Sequence, residues 1–317
     1  MLSRLISIAG CALLAASALQ CISAVAAEPE KLPQQVVDYI LDLESDSYQK
    51  RETATKALPE YGELVIEPLL KVTRGDSLEA SVRAILVIEQ VYVTGKEASV
   101  TKAEEALESL TGSANPSVAL RAEEAIDRHS DIREKRAIRE IRKRGGTIKL
   151  WTAEEIAKYP QNENNAPGRV RYVALGARWS GAELGLRFIK RIRKFDTFYL
   201  IKGHPLNELA LDDLRKAIPS TRFQARDSDA MLGISSGDVS GRDGCLVGDV
   251  SEGLAAQKAG IRSGDLIVKF DGKDVESFQG LVDLIGKKSA GDTVDVELKR
   301  NDKLMTLKVT LSSWLDK

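Results

Sequence analysis

The chain has 317 residues, of which 43% are hydrophobic, 29% charged and 5% aromatic, and its formal net charge is −1. This length and composition predict a globular protein of about two domains, or three small ones. The balanced charge argues against the overall basic field that holds nucleic acid. Two histidines and three cysteines leave little room for a histidine-based catalytic triad or a multi-ligand metal site.

The first 27 residues have the pattern of a secretory signal peptide. Arg4 gives a short positive region, residues 5–19 are apolar, and small residues at 24–27 offer cleavage sites. We therefore expect an exported protein of the periplasm or cell envelope, with no membrane span after cleavage. The alternative is an uncleaved membrane anchor. Beyond this segment only Cys245 is left, and its apolar surroundings predict a packed thiol.

Residues 28–146 are predicted to be all-helical. Three segments each open with Asp or Asn, a residue type that caps helix N-termini, and each carries an arginine five to seven residues later. The segments are 46–58, 76–88 and 115–126, with Arg51, Arg83 and Arg121. Such periods are typical of solenoids. Residues 33–130 resemble HEAT-type helical repeats, which implies a protein-binding surface. The alternative is an irregular helical bundle that supports the rest of the chain.

A basic stretch, residues 132–149, follows within this helical part. It contains no reading motif for nucleic acid and no aromatic residues before Trp151. We interpret it as a solvated helix face that ends at the Gly145-Gly146 pair, and we expect no nucleic-acid partner.

Residues 147–226 change to a different period. The pattern V-x-x-V-x-L at 170–175 recurs as F-x-x-F-x-L at 195–200, an offset of 25 residues, and two leucine-type positions downstream follow the same offset. These downstream pairs are Leu186 with Leu211 and Ile189 with Leu214. The region resembles a short leucine-rich-repeat array, in which each repeat is a parallel strand and a return helix. Because about three repeats are needed for independent stability, we expect these two to lean on their neighbours.

Residues 227–317 combine strands, turns and two short helices. The alternation at 293–299 and 304–311 around Asn301-Asp302 predicts a hairpin, and residues 266–270 predict another strand. Residues 278–288 predict a helix capped by Ser277. With the sequence A-G-I-x-x-G-D-L-I at 259–267, the segment resembles the PDZ domain of bacterial HtrA-type proteases. The predicted fold class is therefore multidomain: a HEAT-like all-α part, a short α/β leucine-rich-like array and an α+β PDZ domain.

The PDZ resemblance implies a peptide-binding site. The family's x-Φ-G-Φ loop matches residues 231–234, whose N–H groups would converge on a carboxylate, and the strand that follows would accept a peptide as an extra strand. Helix positions i, i+4 and i+7 would form the opposite wall, with Leu281 and Leu284 turned to the core. A groove occupied by the chain itself is the alternative. The predicted peptide-binding residues are Met231, Leu232, Gly233, Ile234, Ser235, Ser236, Phe278, Val282 and Ile285.

No nucleophile, zinc-protease or phosphate-binding motif is present in the sequence, so we expect a protein that is not an enzyme and needs no metal or cofactor. The predicted function is that of an exported interaction or scaffold protein, whose PDZ domain binds apolar C-terminal tails or β-strand segments of partner proteins. The alternative is a regulatory subunit of an envelope protease or assembly complex. An enzyme of unfamiliar type is a third possibility, and the oligomeric state is left open.

Overall fold

The structure is a computed structural model that describes residues 32–158, 166–237 and 243–315. The predicted signal peptide lies outside these residues. The chain divides into two compact units, the first ending at Ala106 and the second beginning at Leu107. No helix of the described ranges is long and apolar enough to cross a membrane.

The first unit is helical throughout its described part. Its helices pack through alternating apolar faces, with Leu43, Leu69 and Ile88 fully buried. A 3₁₀ segment, Leu58–Val65, interrupts the series at Gly62. The helices are α1 (Gln34–Asp42), α2 (Tyr48–Ala57), α3 (Ile66–Val72), α4 (Leu78–Thr94) and α5 (Glu97–Leu110), the last of which continues into the second unit.

Two of the three predicted N-caps are wrong by one residue. The side chains of Ser47 and Ser77, not those of Asp46 and Asp76, accept hydrogen bonds from the third residue of α2 and α4. The serine hydroxyl caps because it stands directly before the first helical residue, whereas each aspartate lies outside the turn. Asn115 caps its helix as predicted.

Two of the three arginines in the predicted repeat segments join α2 to α4. Arg51 on α2 forms an ion pair with Glu79 on α4 at 2.8 Å, and Arg83 on α4 forms one with Glu52 on α2 at 2.9 Å. The two pairs cross between the same helices. Arg121 instead pairs with Glu124 on its own helix.

The second unit continues with helices and a four-stranded sheet. Strand order is β1-β2-β3-β4, and the sheet opens with an antiparallel strand that the sequence did not predict. The elements are α6 (Pro116–Arg128), α7 (Ser130–Lys143), β1 (Thr147–Leu150), α8 (Ala153–Lys158), β2 (Val170–Leu175), α9 (Leu186–Lys190), β3 (Thr197–Ile201), α10 (Glu208–Ala217) and β4 (Arg222–Arg226).

The 25-residue offset is the pairing register of the parallel strands. Val173 lies opposite Phe198, which lies opposite Phe223, so each step to the next strand advances 25 residues. The paired helix positions 186, 211, 189 and 214 are all buried in the core behind this sheet. The sequence period is thus a spatial repeat of strand and return helix, while its assignment to the leucine-rich class stays a prediction.

Helices from the predicted first region share the core of the sheet. Ile141 on α7 is fully buried among the residues of β2 and α9. Arg191, at the end of α9, donates two hydrogen bonds of 2.9 Å to Glu108 in the last turn of α5. Burial raises the pKa of Glu108, but the guanidinium groups of Arg191 and Arg133 together lower it by more. Its pKa therefore lies below the ordinary value. The division at residue 146 stays a prediction.

The remaining elements follow residue 226. They are β5 (Ala230–Met231), β6 (Ile234–Ser236), β7 (Cys245–Val250), α11 (Ala255–Lys258), β8 (Leu266–Phe270), β9 (Lys273–Asp274), α12 (Phe278–Ile285), β10 (Thr293–Arg300), β11 (Lys303–Thr310) and β12 (Ser312–Ser313). The main path of the larger sheet is β11-β10-β8-β7-β6, with β9 paired to β8.

This part of the fold agrees with the sequence-based elements. The predicted hairpin is β10 and β11, and Asn301 and Asp302 both have positive φ, as its two-residue turn requires. Ser277 caps α12 as predicted, accepting a hydrogen bond from Gly280 N at 3.1 Å. The helix ends at Ile285, three residues earlier than predicted.

The C-terminal segment joins the larger sheet to the four-stranded sheet. Strand β12 pairs with β5, and the next two residues pack on the face of the four-stranded sheet that points away from its helices. The ring of Trp314 lies 4.5 Å from that of Tyr199 and 5.8 Å from that of Tyr172. The carbonyl of Leu315 accepts a hydrogen bond from Thr147 Oγ1 at 3.1 Å.

A buried ion pair gives the first testable prediction. Asp265 is 1% exposed and accepts two hydrogen bonds of 2.7 Å from Arg300 and one of 2.8 Å from Arg262 N. Burial raises its pKa, but these donors lower it more, so the pKa lies below the ordinary 3.8. Asp265→Asn should lower the free energy of unfolding by about 3 kcal/mol at pH 7, measured by urea denaturation.

The pH dependence and a matched variant complete this test. A lowered carboxyl pKa stabilises the fold above the unfolded value and loses that effect as pH falls through the folded value. The wild type should therefore lose stability more steeply below about pH 4 than the variant does. Asp295→Asn, which removes an exposed pair with Lys308, should cost under about 1 kcal/mol. Equal losses for the two variants would contradict the assignment.

Candidate peptide-binding site

The loop between β5 and β6 is shaped by a glycine. Gly233 has φ +86, and a methyl group added there would lie 2.6 Å from Cβ of Leu254. Both the left-handed backbone and the close approach require glycine. Among the described residues, no group accepts a hydrogen bond from the backbone N–H of Leu232 or of Gly233. Two adjacent donors are therefore available to an acceptor on a ligand.

The carbonyls of the same two residues are used internally. Ala256 N donates to Leu232 O at 2.8 Å, and Ser251 N donates to Gly233 O at 2.9 Å. These bonds tie the loop to α11 and the turn before it. The carbonyls thus fix the loop while its N–H groups are left unpaired within the described chain.

Strand β6 is the terminal strand of its sheet. It pairs with β7 on one edge, and within the described chain no strand pairs with the other edge. Its register with β7 shifts between Ile234 and Ser236, which marks a bulge. Ser235 Oγ accepts a hydrogen bond from Asp249 N at 2.8 Å at this point. The open edge is a template for an added strand.

Helix α12 faces this edge. Phe278, Val282 and Ile285 are half-buried, whereas Leu281 is fully buried in the domain core, as the helical register predicted. Leu284 packs partly against the same core, as do Phe278 and Ile285, and Leu281 also contributes to the cleft lining. The three half-buried side chains present an apolar wall to the groove.

All nine predicted residues line one open cleft of about 2200 Å³. They do not contribute equally to its surface. Met231 is paired with Ser312 in the short two-stranded sheet and is 8% exposed, and Leu232 is 2% exposed. These two offer mainly their backbone, while Ile234, the serines and the α12 side chains offer their side chains.

Sequence reasoning missed two parts of the cleft. Leu254, against Gly233, lines it near the loop. The outer face of the four-stranded sheet lines it as well, including Tyr172 and Thr197. No sequence signal links these residues to the loop, because they come together only when the C-terminal segment packs on the sheet.

Burial raises the pKa of two groups in this part of the chain. Cys245 is fully buried in the core of the domain, as predicted for a packed thiol, and burial raises the pKa of that thiol to about 11. Burial also raises the pKa of Tyr172 to about 12, so its hydroxyl is neutral at physiological pH. In the described ranges, no group of three or more His, Cys, Asp and Glu residues is placed to hold a metal ion.

Comparison with known proteins identifies the class of this region. The family model of the PDZ domain matches residues 230–311. "Serine protease Do-like HtrA" of Lactobacillus helveticus is 41% identical over 70 residues, which is 22% of this chain and 17% of that protein. "Periplasmic pH-dependent serine endoprotease DegQ" of Escherichia coli is 36% identical over 70 residues, 22% of this chain and 15% of that protein.

A further relative matches over a similar length. "Probable periplasmic serine endoprotease DegP-like" of Halomonas elongata is 33% identical over 73 residues, 23% of this chain and 15% of that protein. The chain thus covers about a sixth of the length of these curated relatives. Residues 230–311 form a PDZ domain homologous to those of HtrA and DegP proteins.

Two solved structures are also similar to part of this chain. One is the "HtrA3 PDZ Domain Bound to a Phage-Derived Ligand (FGRWV)", with 19% identity and a TM-score of 0.24, covering 26% of this chain and 85% of that one. Another is the "HtrA-type protease AlgW with decapeptide", with 17% identity and a TM-score of 0.26, covering 34% of this chain and 35% of that one.

The loop glycine gives the second testable prediction. Gly233→Ala should destabilise the domain by about 1–3 kcal/mol, since alanine is strained at this φ and meets Leu254. Gly280→Ala is the matched control, because an added methyl there only reaches 3.4 Å from Ser277 Oγ within a helix. It should leave stability unchanged or raise it by up to about 1 kcal/mol. Thermal and urea unfolding measure both, and a neutral Gly233→Ala would contradict the account of the loop.

Proposed function

We propose that this protein is an exported, non-catalytic interaction protein, whose PDZ domain binds apolar C-terminal tails or extended segments of envelope proteins. The observation that carries the proposal is the unpaired edge of β6 beside the free N–H groups of Leu232 and Gly233. A ligand strand adds to that edge by main-chain hydrogen bonds, and its apolar side chain enters between Ile234 and α12. The dissociation constant should be about micromolar, which corresponds to a binding free energy of about −8 kcal/mol.

Export rests on two supports. The N-terminal sequence has the signal-peptide pattern, and two of the relatives named above are called periplasmic. The HEAT-like and leucine-rich-like parts are proposed as scaffold or additional binding surface. Crossed ion pairs between α2 and α4 and the 25-residue strand register support the repeat interpretation.

The non-catalytic assignment rests on the histidines and on the matched range. The relatives called serine proteases match this chain over about 70 residues only. The chain has two histidines, and neither lines the cleft. His129 ends α6, and His204 Nδ1 accepts a hydrogen bond from Leu206 N at 3.3 Å in a turn. Their absence from the cleft lining supports the non-catalytic proposal.

Charge placed in the groove tests the proposal. Ile234→Asp puts an unpaired carboxylate against the apolar pocket and should lower the affinity for a peptide ending in an apolar residue by at least tenfold, with an unchanged circular dichroism spectrum. Leu304→Asp is the control, because Leu304 is 62% exposed on β11 and does not line the cleft. Fluorescence anisotropy with a six-residue peptide measures both. Equal affinities would place binding elsewhere.

The two free N–H groups predict dependence on the ligand's carboxylate. Amidating the C-terminus of the same six-residue peptide should weaken binding about tenfold, because charge-assisted hydrogen bonds to Leu232 N and Gly233 N are lost. The control is a peptide acetylated at its other end, which should bind as before. If amidation leaves the dissociation constant unchanged, the loop does not hold a carboxylate.

A further inference from the structure

The strand that enters the binding loop has one strand partner in the described chain. β5 forms a two-stranded sheet with β12 and is not part of the larger sheet of the PDZ domain. Met231 lies opposite Ser312, and Ala230 lies opposite Ser313. The far side of the loop is held separately, because its two carbonyls accept hydrogen bonds from α11 and the turn before it. The pairing with β12 therefore fixes the side of the loop that those bonds do not hold.

β12 opens the C-terminal segment, residues 312–315, which lies beyond the range of the PDZ family match. That match ends at Leu311, whose side chain is buried in the domain core. Four residues later, Leu315 is buried on the four-stranded sheet in a cluster with Ala174 and Ile201. The segment thus connects the core of the PDZ domain to a surface that does not belong to that domain.

Polar contacts hold the C-terminal segment at both of its ends. Trp314 N donates a hydrogen bond of 2.8 Å to the carbonyl of Asp229, directly before β5. On the sheet side, Thr147 Oγ1 donates to the carbonyl of Leu315 at 3.1 Å, and the guanidinium of Arg178 donates to the same carbonyl. The segment is therefore tied both to the sheet and to the residues that lead into the loop.

We propose that the C-terminal segment positions the peptide-binding loop, so that the affinity of the groove depends on contacts that Trp314 and Leu315 make with the sheet. This inference rests on the proposed function of the groove. Without these contacts β5 is held less firmly, and the N–H groups of Leu232 and Gly233 face a ligand carboxylate in a smaller fraction of molecules. The apparent dissociation constant rises in inverse proportion to that fraction. By linkage, a bound peptide stabilises the packed segment.

The first variant acts on the side of the segment that faces the sheet. Leu315 is 7% exposed and does not line the cleft, so Leu315→Ala weakens the packing without changing the surface of the groove. It should raise the dissociation constant of a six-residue apolar peptide with a free carboxylate about tenfold, as expected when about a tenth of the molecules hold the loop in place. Fluorescence anisotropy with the full chain measures this change.

Leu211→Ala is the matched control. Leu211 is fully buried on the other, helix-covered face of the same sheet, so shortening it destabilises the unit without touching the C-terminal segment. It should leave the dissociation constant unchanged, at a temperature where circular dichroism shows both variants folded. Equal weakening by the two variants would indicate a general loss of stability and would overturn the inference.

A second variant approaches the segment from the sheet and carries the test if Leu315→Ala does not fold. A methyl group added at Gly176 would lie 2.6 Å from Cδ1 of Leu315, so Gly176→Ala should displace the segment and weaken peptide binding severalfold. Gly112→Ala is its control, because an added methyl there lies 3.6 Å from its nearest neighbour, Ser109 O. It should bind the peptide as the wild type does.

Hydrogen exchange gives a readout that a purely structural role would not move. The amide of Trp314 is bonded to Asp229 O, so saturating peptide should slow its exchange, and this slowing should be lost in Leu315→Ala. Trp314→Ala should weaken binding as Leu315→Ala does. Trp314→Phe should keep most of the affinity, because it retains an aromatic ring to pack on Tyr199.

The outcomes distinguish this inference from the proposed function. If the wild type binds the peptide and both Leu315→Ala and Gly176→Ala bind it equally well, the positioning role is overturned and the groove stands. Exchange of the Trp314 amide that does not respond to peptide also overturns the positioning role alone. If the wild type binds no peptide with an apolar C-terminus, both proposals fail.

Discussion

Packing of the C-terminal segment on the four-stranded sheet decides how the groove is presented. Trp314 and Leu315 cover the middle of the sheet's outer face, where Tyr199 and Ile201 would otherwise be exposed. Their backbone continues β12, which pairs with β5 beside the binding loop. One short segment thus buries an apolar surface and fixes the position of the loop next to the sheet, because aromatic contacts and strand pairing act on adjacent residues.

The domain core and the groove use different groups of the same structural elements. Leu281 and Cys245 are fully buried and hold α12 against the sheet, while Val282 and Ile285 on that helix are half-buried toward the cleft. The carbonyls of the binding loop are likewise used internally and its N–H groups are not. Each element thus uses some of its groups to hold the fold and leaves others for a ligand.

The helical and sheet regions show how far a repeat in sequence becomes a repeat in space. The 25-residue offset sets the strand register directly, since parallel neighbours with equal connections must advance by one repeat length. The helical arginines follow a looser rule. Arg51 and Arg83 pair across helices, but Arg121 pairs on its own helix, so spacing alone did not specify the partner.

Local chemistry is what the sequence determined. The hairpin at Asn301-Asp302, the cap at Ser277, the glycine loop at 233 and the strand register all depend on residues close in sequence or on a fixed period. The N-terminal strand β1, the contact of Leu254 with Gly233 and the lining of the cleft by Lys149, Tyr172 and Arg222 were decided only in the tertiary structure. They join residues tens of positions apart, and no local preference or period records which distant surfaces will be brought together.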